Sequence, residues 1–102
     1  ALIEEHSVMV FSKTYCPHCT KAKALLDSLM VSYTALELDK DHDGPYVQMA
    51  LVGLSHGQKT VPNIFIKGKH IGGNAELQTL HRSGQLLPLL ESQGILHRRD
   101  EF

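Results

Sequence analysis

Both cysteines of this 102-residue chain fall in one seven-residue stretch, Lys13-Thr14-Tyr15-Cys16-Pro17-His18-Cys19. Ahead of it runs Val8-Met9-Val10-Phe11, continuously apolar, and behind it a helical pattern opens near Pro17. A strand that delivers Cys-x-x-Cys into the start of a helix is a redox arrangement. The βαβ unit that this strand and helix open is expected to make a parallel, right-handed crossover.

The remaining elements follow from periodicity. Residues 8–12 read as a strand buried on both faces. From 17 to 30, Cys19, Ala22, Leu26 and Leu29 recur at helical spacing, while Lys21, Lys23, Asp27 and Ser28 face elsewhere. Residues 33–38 form a second strand and 39–44 a polar turn. Val47, Ala50, Leu51 and Leu54 mark a second helix through about Ser55, weakened by Gly53. Thr60 to Ile66 leads into a third strand. Lys67-Gly68-Lys69 reads as a hairpin turn, and His70-Ile71 returns as a short fourth strand. Asn74 is expected to cap a helix carrying Leu77 and Leu80, which stops at Ser83-Gly84. A last helix, about 85–92, carries Leu86, Leu87, Leu89 and Leu90; Pro88 is awkward there and is best tolerated in the first turn. Residues 1–6 leave too little to assign. The order is β-α-β-α-β-β-α-α. The expectation is one domain over 1–102: an α/β fold with a four-stranded mixed sheet sandwiched between helices.

Composition narrows the function. The net charge of −1 gives no basic footprint for nucleic acid, and His97-Arg98-Arg99 reads as a solvated tail. No apolar run approaches the ~18 residues of a membrane span. Two cysteines do not make a disulfide scaffold. No targeting segment is visible. A cytoplasmic setting is the expectation, or a secretory compartment or organelle if a segment ahead of Ala1 was removed.

Disulfide exchange needs an accessible thiolate, and an unperturbed cysteine is only a few per cent ionised at neutral pH. Cys16 lies at a helix start, where unpaired N–H groups and the helix dipole favour an anion. Lys13 and Lys21 can add positive charge, and Pro17 suits the first helical position. Cys19, nearly one turn on, shares the helix face and is expected to be more buried. Cys16 is therefore read as the attacking sulfur and Cys19 as the resolving thiol. His18 either supports the Cys16 thiolate or simply faces solvent. A zinc site lacks a second ligand pair: His6, His42, His56, His70, His81 and His97 show no paired spacing. A purely structural disulfide at this spacing would constrain almost nothing.

Four stretches together resemble the glutaredoxins: Phe11-Ser12-Lys13-Thr14-Tyr15-Cys16-Pro17-x-Cys19, Glu37-Leu38-Asp39, Gln58 through Ile66, and Gly68-Lys69-His70-Ile71-Gly72-Gly73-Asn74. The resemblance covers nearly the whole chain. Thioredoxin itself fits less well, since its active site contains Trp and this chain has none. The resemblance implies a thioredoxin fold, with glutathione as reductant and no permanently bound cofactor or metal. It implies that Pro62 is cis and Val61 stands opposite Cys16, pairing its backbone with the cysteinyl part of glutathione. Thr60 belongs to that same loop. Lys13 and Gln58 are expected on the glycine carboxylate, and Tyr15 and His18 on the cleft wall. Gly73, Asn74, Ala75 and Glu76 are expected at the γ-glutamyl end: backbone N–H groups for its carboxylate, Glu76 for its ammonium.

Two positions depart from the family pattern. Many relatives have Tyr where His18 stands and an acidic residue where Ala75 stands. The expected partners are glutathione and glutathionylated or disulfide-containing proteins, with no nucleic acid or membrane, and the expected state is a monomer. Two other readings are an iron–sulfur-binding glutaredoxin, which Pro17 opposes by stiffening the loop, and an oxidising disulfide catalyst, whose superfamily relative shares Cys-Pro-His-Cys.

Overall fold

The computed structural model describes residues 3, 6–55 and 57–94. Its elements are β1 (Val8–Ser12), α1 (Pro17–Ser28), β2 (Thr34–Glu37), α2 (Gly44–Leu54), β3 (Asn63–Ile66), β4 (Lys69–Gly72), α3 (Asn74–Arg82) and α4 (Leu86–Ser92). The expected order of elements is found. The basic run at 97–99 lies outside the described residues, as do residues 1, 2, 4 and 5.

The sheet runs β2-β1-β3-β4. β1 pairs in parallel with β2, Met9 opposite Thr34 and Ser12 opposite Glu37. It pairs antiparallel with β3, Val8 opposite Ile66 and Phe11 opposite Asn63. β3 pairs antiparallel with β4, with an irregularity between Ile64 and Phe65. β1 is therefore internal to the sheet, which is why its sequence is apolar without alternation.

Successive side chains of β1 enter opposite layers. Val8 and Val10 join Ala22, Leu26, Ile64, Ile66, Leu77, Leu86 and Leu90 under α1, α3 and α4. Met9 and Phe11 join Leu38, Leu51 and Phe65 under α2. Phe11 and Phe65 meet edge to face at 6.0 Å. Each fully buried side chain of this size contributes roughly 1.5–3 kcal/mol. The two layers of burial hold the ends of β1 and β2 beside the start of α1. With helices on both faces of a mixed sheet, this is the thioredoxin fold.

Several boundaries differ from the sequence expectation. α2 begins at Gly44, not near Val47: Pro45 sits in its first turn and needs no hydrogen-bond partner there. Gly44 approaches Leu38 so closely that a Cβ would lie 1.9 Å from the Leu38 carbonyl oxygen. Lys69 opens β4 rather than belonging to the turn, because Lys67 and Gly68, both at positive φ, complete the turn alone. α1 stops at Ser28, with Leu29 as its C-cap and Met30 at φ 61°. Asn74 is not a cap. Gly73 is the N-cap of α3, and Asn74 is its first residue, its Oδ1 accepting from Gln78 Nε2. Pro88 is the third residue of α4, within the first turn as expected.

Leu26→Ala, at a fully buried position, is expected to cost about 2–5 kcal/mol in a denaturant titration. Met49→Ala, on a side chain 74% exposed, should change stability by less than about 0.5 kcal/mol.

Candidate active site

The reactive segment leaves the end of β1 and enters α1 within four residues. Its first part is held by β2. Leu38 N donates to Ser12 O at 2.8 Å. Just beyond, the Asp39 carboxylate accepts from the Thr14 backbone N–H at 3.0 Å and from the Thr14 hydroxyl. These bonds, the hydroxyl's first, hold the Asp39 carboxyl below its ordinary value. Cys16 N then donates to Lys13 O, closing the turn.

Cys16 is the N-cap of α1, in extended conformation at φ −88° and ψ 116°. Its sulfur accepts from the Cys19 backbone N–H at 3.3 Å, the bond that Ser or Asp oxygen usually takes at this position. Pro17 follows in the first turn, where its missing donor costs nothing. Cys16 is half-buried, whereas Cys19 is only 1% exposed. Burial pushes the Cys19 thiol up to about 12, and its hydrogen bond with Cys16 acts in the same direction. Of the two sulfurs, one is accessible and the other is a protected thiol at neutral pH. Both are free cysteines.

Opposite Cys16 stands the loop before β3. The Val61–Pro62 peptide is cis, and the Cys16 thiol donates to Val61 O at 3.7 Å. Gln58 holds this loop from behind. Its Nε2 donates to Thr60 O and Pro62 O, both at 3.0 Å. That fixes the amide orientation and turns Oε1 towards His70 Nε2, also at 3.0 Å. His70 Nε2 lies 3.0 Å from Asn63 Oδ1 as well. With two carbonyl oxygens as partners, this nitrogen carries the hydrogen. Asn63, buried, donates in turn to Ser55 Oγ. Gln58 thus acts as the loop's support. To serve a ligand carboxylate it would have to release one of its two carbonyls.

From Val61 an open cleft of about 330 Å³ runs on to α3, lined by His18, Thr60, Val61, Pro62, Gly73, Asn74, Ala75 and Glu76. Glu76 Oε1 accepts from Gly73 N at 2.8 Å. Gly72 leaves no choice of residue: it lies at φ 121°, and a Cβ there would meet Glu76 Cγ at 2.9 Å. The backbone N–H groups of the first turn of α3 have no intrahelical acceptors. Cys16 adjoins the cleft through Val61. Lys13 is half-buried at the end of β1, and Tyr15 is 70% exposed. Neither lines this cleft.

Three residues near the cysteines were given no role from sequence, although Ser12 and Glu37 lie in the stretches that carry the resemblance. Ser12, at the buried end of β1, donates its hydroxyl to Glu37 Oε1. Glu37 Oε2 is paired with Lys23 Nζ. A signal for Lys23 was its position four residues after Cys19, on the same side of a helix. Among the described residues, no cluster of three or more His, Cys, Asp or Glu is arranged to hold a metal ion. No described helix is long and apolar enough to cross a membrane.

This topology, with two thiols at one helix tip facing a cis-proline loop, places the chain among the thiol oxidoreductases of the thioredoxin fold. Comparison with known proteins narrows the class. The family model for glutaredoxin matches residues 8–71. A glutaredoxin of Ricinus communis is 52% identical over 93 residues, covering 91% of this chain and 90% of the relative. Glutaredoxin-C2 of Arabidopsis thaliana is 46% identical over 95 residues, 93% of this chain and 85% of the relative. The crystal structure of a buckwheat glutaredoxin–glutathione complex superposes with a TM-score of 0.90 at 45% identity, covering 94% of this chain and 86% of that one. The chain belongs to the glutaredoxin family, whose members use glutathione as co-substrate.

The difference between the two sulfurs has a direct readout. Iodoacetamide at neutral pH should label Cys16 in the native protein and leave Cys19 unlabelled. In Cys16→Ser, label is expected only after denaturation, as counted by mass spectrometry.

Proposed function

We propose that this chain is a glutathione-dependent oxidoreductase that reduces protein–glutathione mixed disulfides and protein disulfides, acting as a monomer. The observation that carries the reading is Cys16, capping α1 against Val61 O at the mouth of a cleft that ends on the N–H groups of α3. The buckwheat glutaredoxin, similar in fold and in sequence, was crystallised as a complex with glutathione.

In the proposed reaction the Cys16 thiolate attacks the glutathione sulfur of a protein–S–SG substrate. A Cys16–S–SG bond forms and the protein thiolate leaves, taking a proton. Negative charge on Cys16 meets the N–H groups of the first turn of α1. The glutathionyl group would lie along the cleft. Its cysteinyl backbone would pair with Val61 as a short added strand, beside Thr60 and Pro62. Its γ-glutamyl carboxylate would meet the Asn74 and Ala75 N–H groups beyond Gly73. Glu76 would face its ammonium and Lys13 its glycine carboxylate. Tyr15 and His18 would flank the sulfur. A second glutathione thiolate then attacks the bound glutathione sulfur, releasing glutathione disulfide and returning Cys16. For a protein disulfide, Cys16 forms the mixed disulfide and Cys19 displaces the substrate. Two glutathiones then reduce Cys16–Cys19.

Cys16→Ser should lose both activities. Cys19→Ser should keep deglutathionylation of a glutathionylated peptide, within a few-fold, and lose reduction of a disulfide-bonded protein. The check is NADPH consumption coupled through glutathione reductase. Substantial peptide deglutathionylation by Cys16→Ser would refute the assignment.

A further inference from the structure

The resolving step poses a chemical problem. Cys19 is buried and held as a thiol, yet it must become a nucleophile once Cys16 has joined a substrate. Its neighbours show how the charge can be met. Lys23 lies four residues on in α1, and side chains at that spacing are adjacent on a helix. Both Lys23 and its partner Glu37 are only 24% exposed. Glu37 Oε1 is in turn fixed by Ser12 Oγ at the buried end of β1. Helix, central strand and neighbouring strand therefore converge on one ammonium group.

A lysine with a free end would extend its ammonium into water. The Ser12-fixed carboxylate prevents this and keeps the ammonium against the sheet. Two groups favour charge on Cys19: a hydrogen bond from the Lys13 backbone and the Lys23 ammonium. Cys16 acts the other way. That opposition ends when the Cys16 sulfur is tied up in a mixed disulfide, which carries neither charge nor proton. Burial, the largest influence, still disfavours charge on Cys19, and the groups left to offset it are the Lys13 amide and the Lys23 cation.

We propose that Lys23, anchored by Glu37 and Ser12, is a positioning residue for the resolving step, its ammonium stabilising the negative charge that develops on Cys19 Sγ as it attacks. The inference rests on the dithiol branch of the reaction proposed above. In that step Cys19–SH gives up its proton and its sulfur bonds to Cys16 Sγ. The bond from Cys16 Sγ to the substrate sulfur breaks, and the electron pair leaves on the substrate thiolate, which takes up a proton. The sum is Cys19–SH plus Cys16–S–S–R giving Cys16–S–S–Cys19 plus R–SH. Lys23 is not consumed and does not touch the substrate.

Dithionitrobenzoate separates the two sulfurs in one experiment. Attack by Cys16 releases a first thionitrobenzoate and leaves a second on Cys16, which Cys19 then displaces. Stopped-flow absorbance should show both phases in the wild type. In Lys23→Met, which is unbranched, one atom shorter and uncharged, the second phase should slow roughly five- to tenfold. The first phase should stay within about twofold, and Lys23→Arg should restore the second. Lys23→Gln gives the same readout where the methionine variant does not fold. An unchanged second phase, equal slowing of both phases, or failure of arginine to restore the rate would each overturn the proposal. The assay contains no glutathione. A wild type that shows both phases but does not turn over with glutathione would count against the function proposed above and leave this inference standing.

Discussion

The hydrogen bond from the Cys19 N–H to the Cys16 sulfur is the contact on which the reactive end of this protein depends. It caps a helix with sulfur where oxygen is usual. It goes with a three-residue separation that sets the two thiols nearly one turn apart, with an N–H of the first turn of α1 on the outer sulfur. That separation also puts the inner thiol on the buried face of the helix, among residues that pack against the sheet. Exposure of one cysteine and protection of the other are therefore two results of one local geometry.

That geometry would not persist on a loop free at both ends. The segment before Cys16 is tied to the end of β2 through Ser12 O and the Asp39 carboxylate. The surface facing it is tied through Gln58, His70, Asn63 and Ser55, which connect the cis-proline loop to β4 and to the residue that closes α2. Both sets of bonds start from the central strands, whose burial under two helical layers is the largest stabilising contribution in the fold. Core packing and site geometry are linked at the strand ends: Phe11 is in the core, and Cys16 follows five residues later.

Local patterns were enough to read the architecture. The apolar run of β1 announced a strand with neighbours on both sides, and the cysteine spacing announced the helix start. The cis-proline loop and the Gly72–Gly73 turn were legible through their resemblance to a family. What periodicity could not show were contacts between distant residues. Thr14 to Asp39 and Ser12 to Glu37 each span 25 positions, and Lys23 to Glu37 spans 14. Lys23 read simply as part of a polar helix side. Gln58 read as a donor for a ligand, because nothing local indicated that two carbonyls of its own loop would take its hydrogens. Asn74 has the chemistry of a cap, yet Gly73 caps α3. There the Glu76 carboxylate reaches back to the glycine N–H and leaves Asn74 inside the helix.

The central claim is that a group bound to the Cys16 sulfur extends along the cleft past Val61 to the start of α3. The most direct test uses Cys19→Ser, oxidised with glutathione disulfide to a stable Cys16–S–SG adduct, and compares its amide ¹H–¹⁵N spectrum with that of the reduced variant. The account predicts the largest shifts at Val61, Gly73, Asn74 and Ala75, with the exposed face of α2 around Tyr46 and Met49 unchanged. An adduct whose shifts are confined to residues 15–20, with Val61 and the start of α3 unmoved, would contradict it.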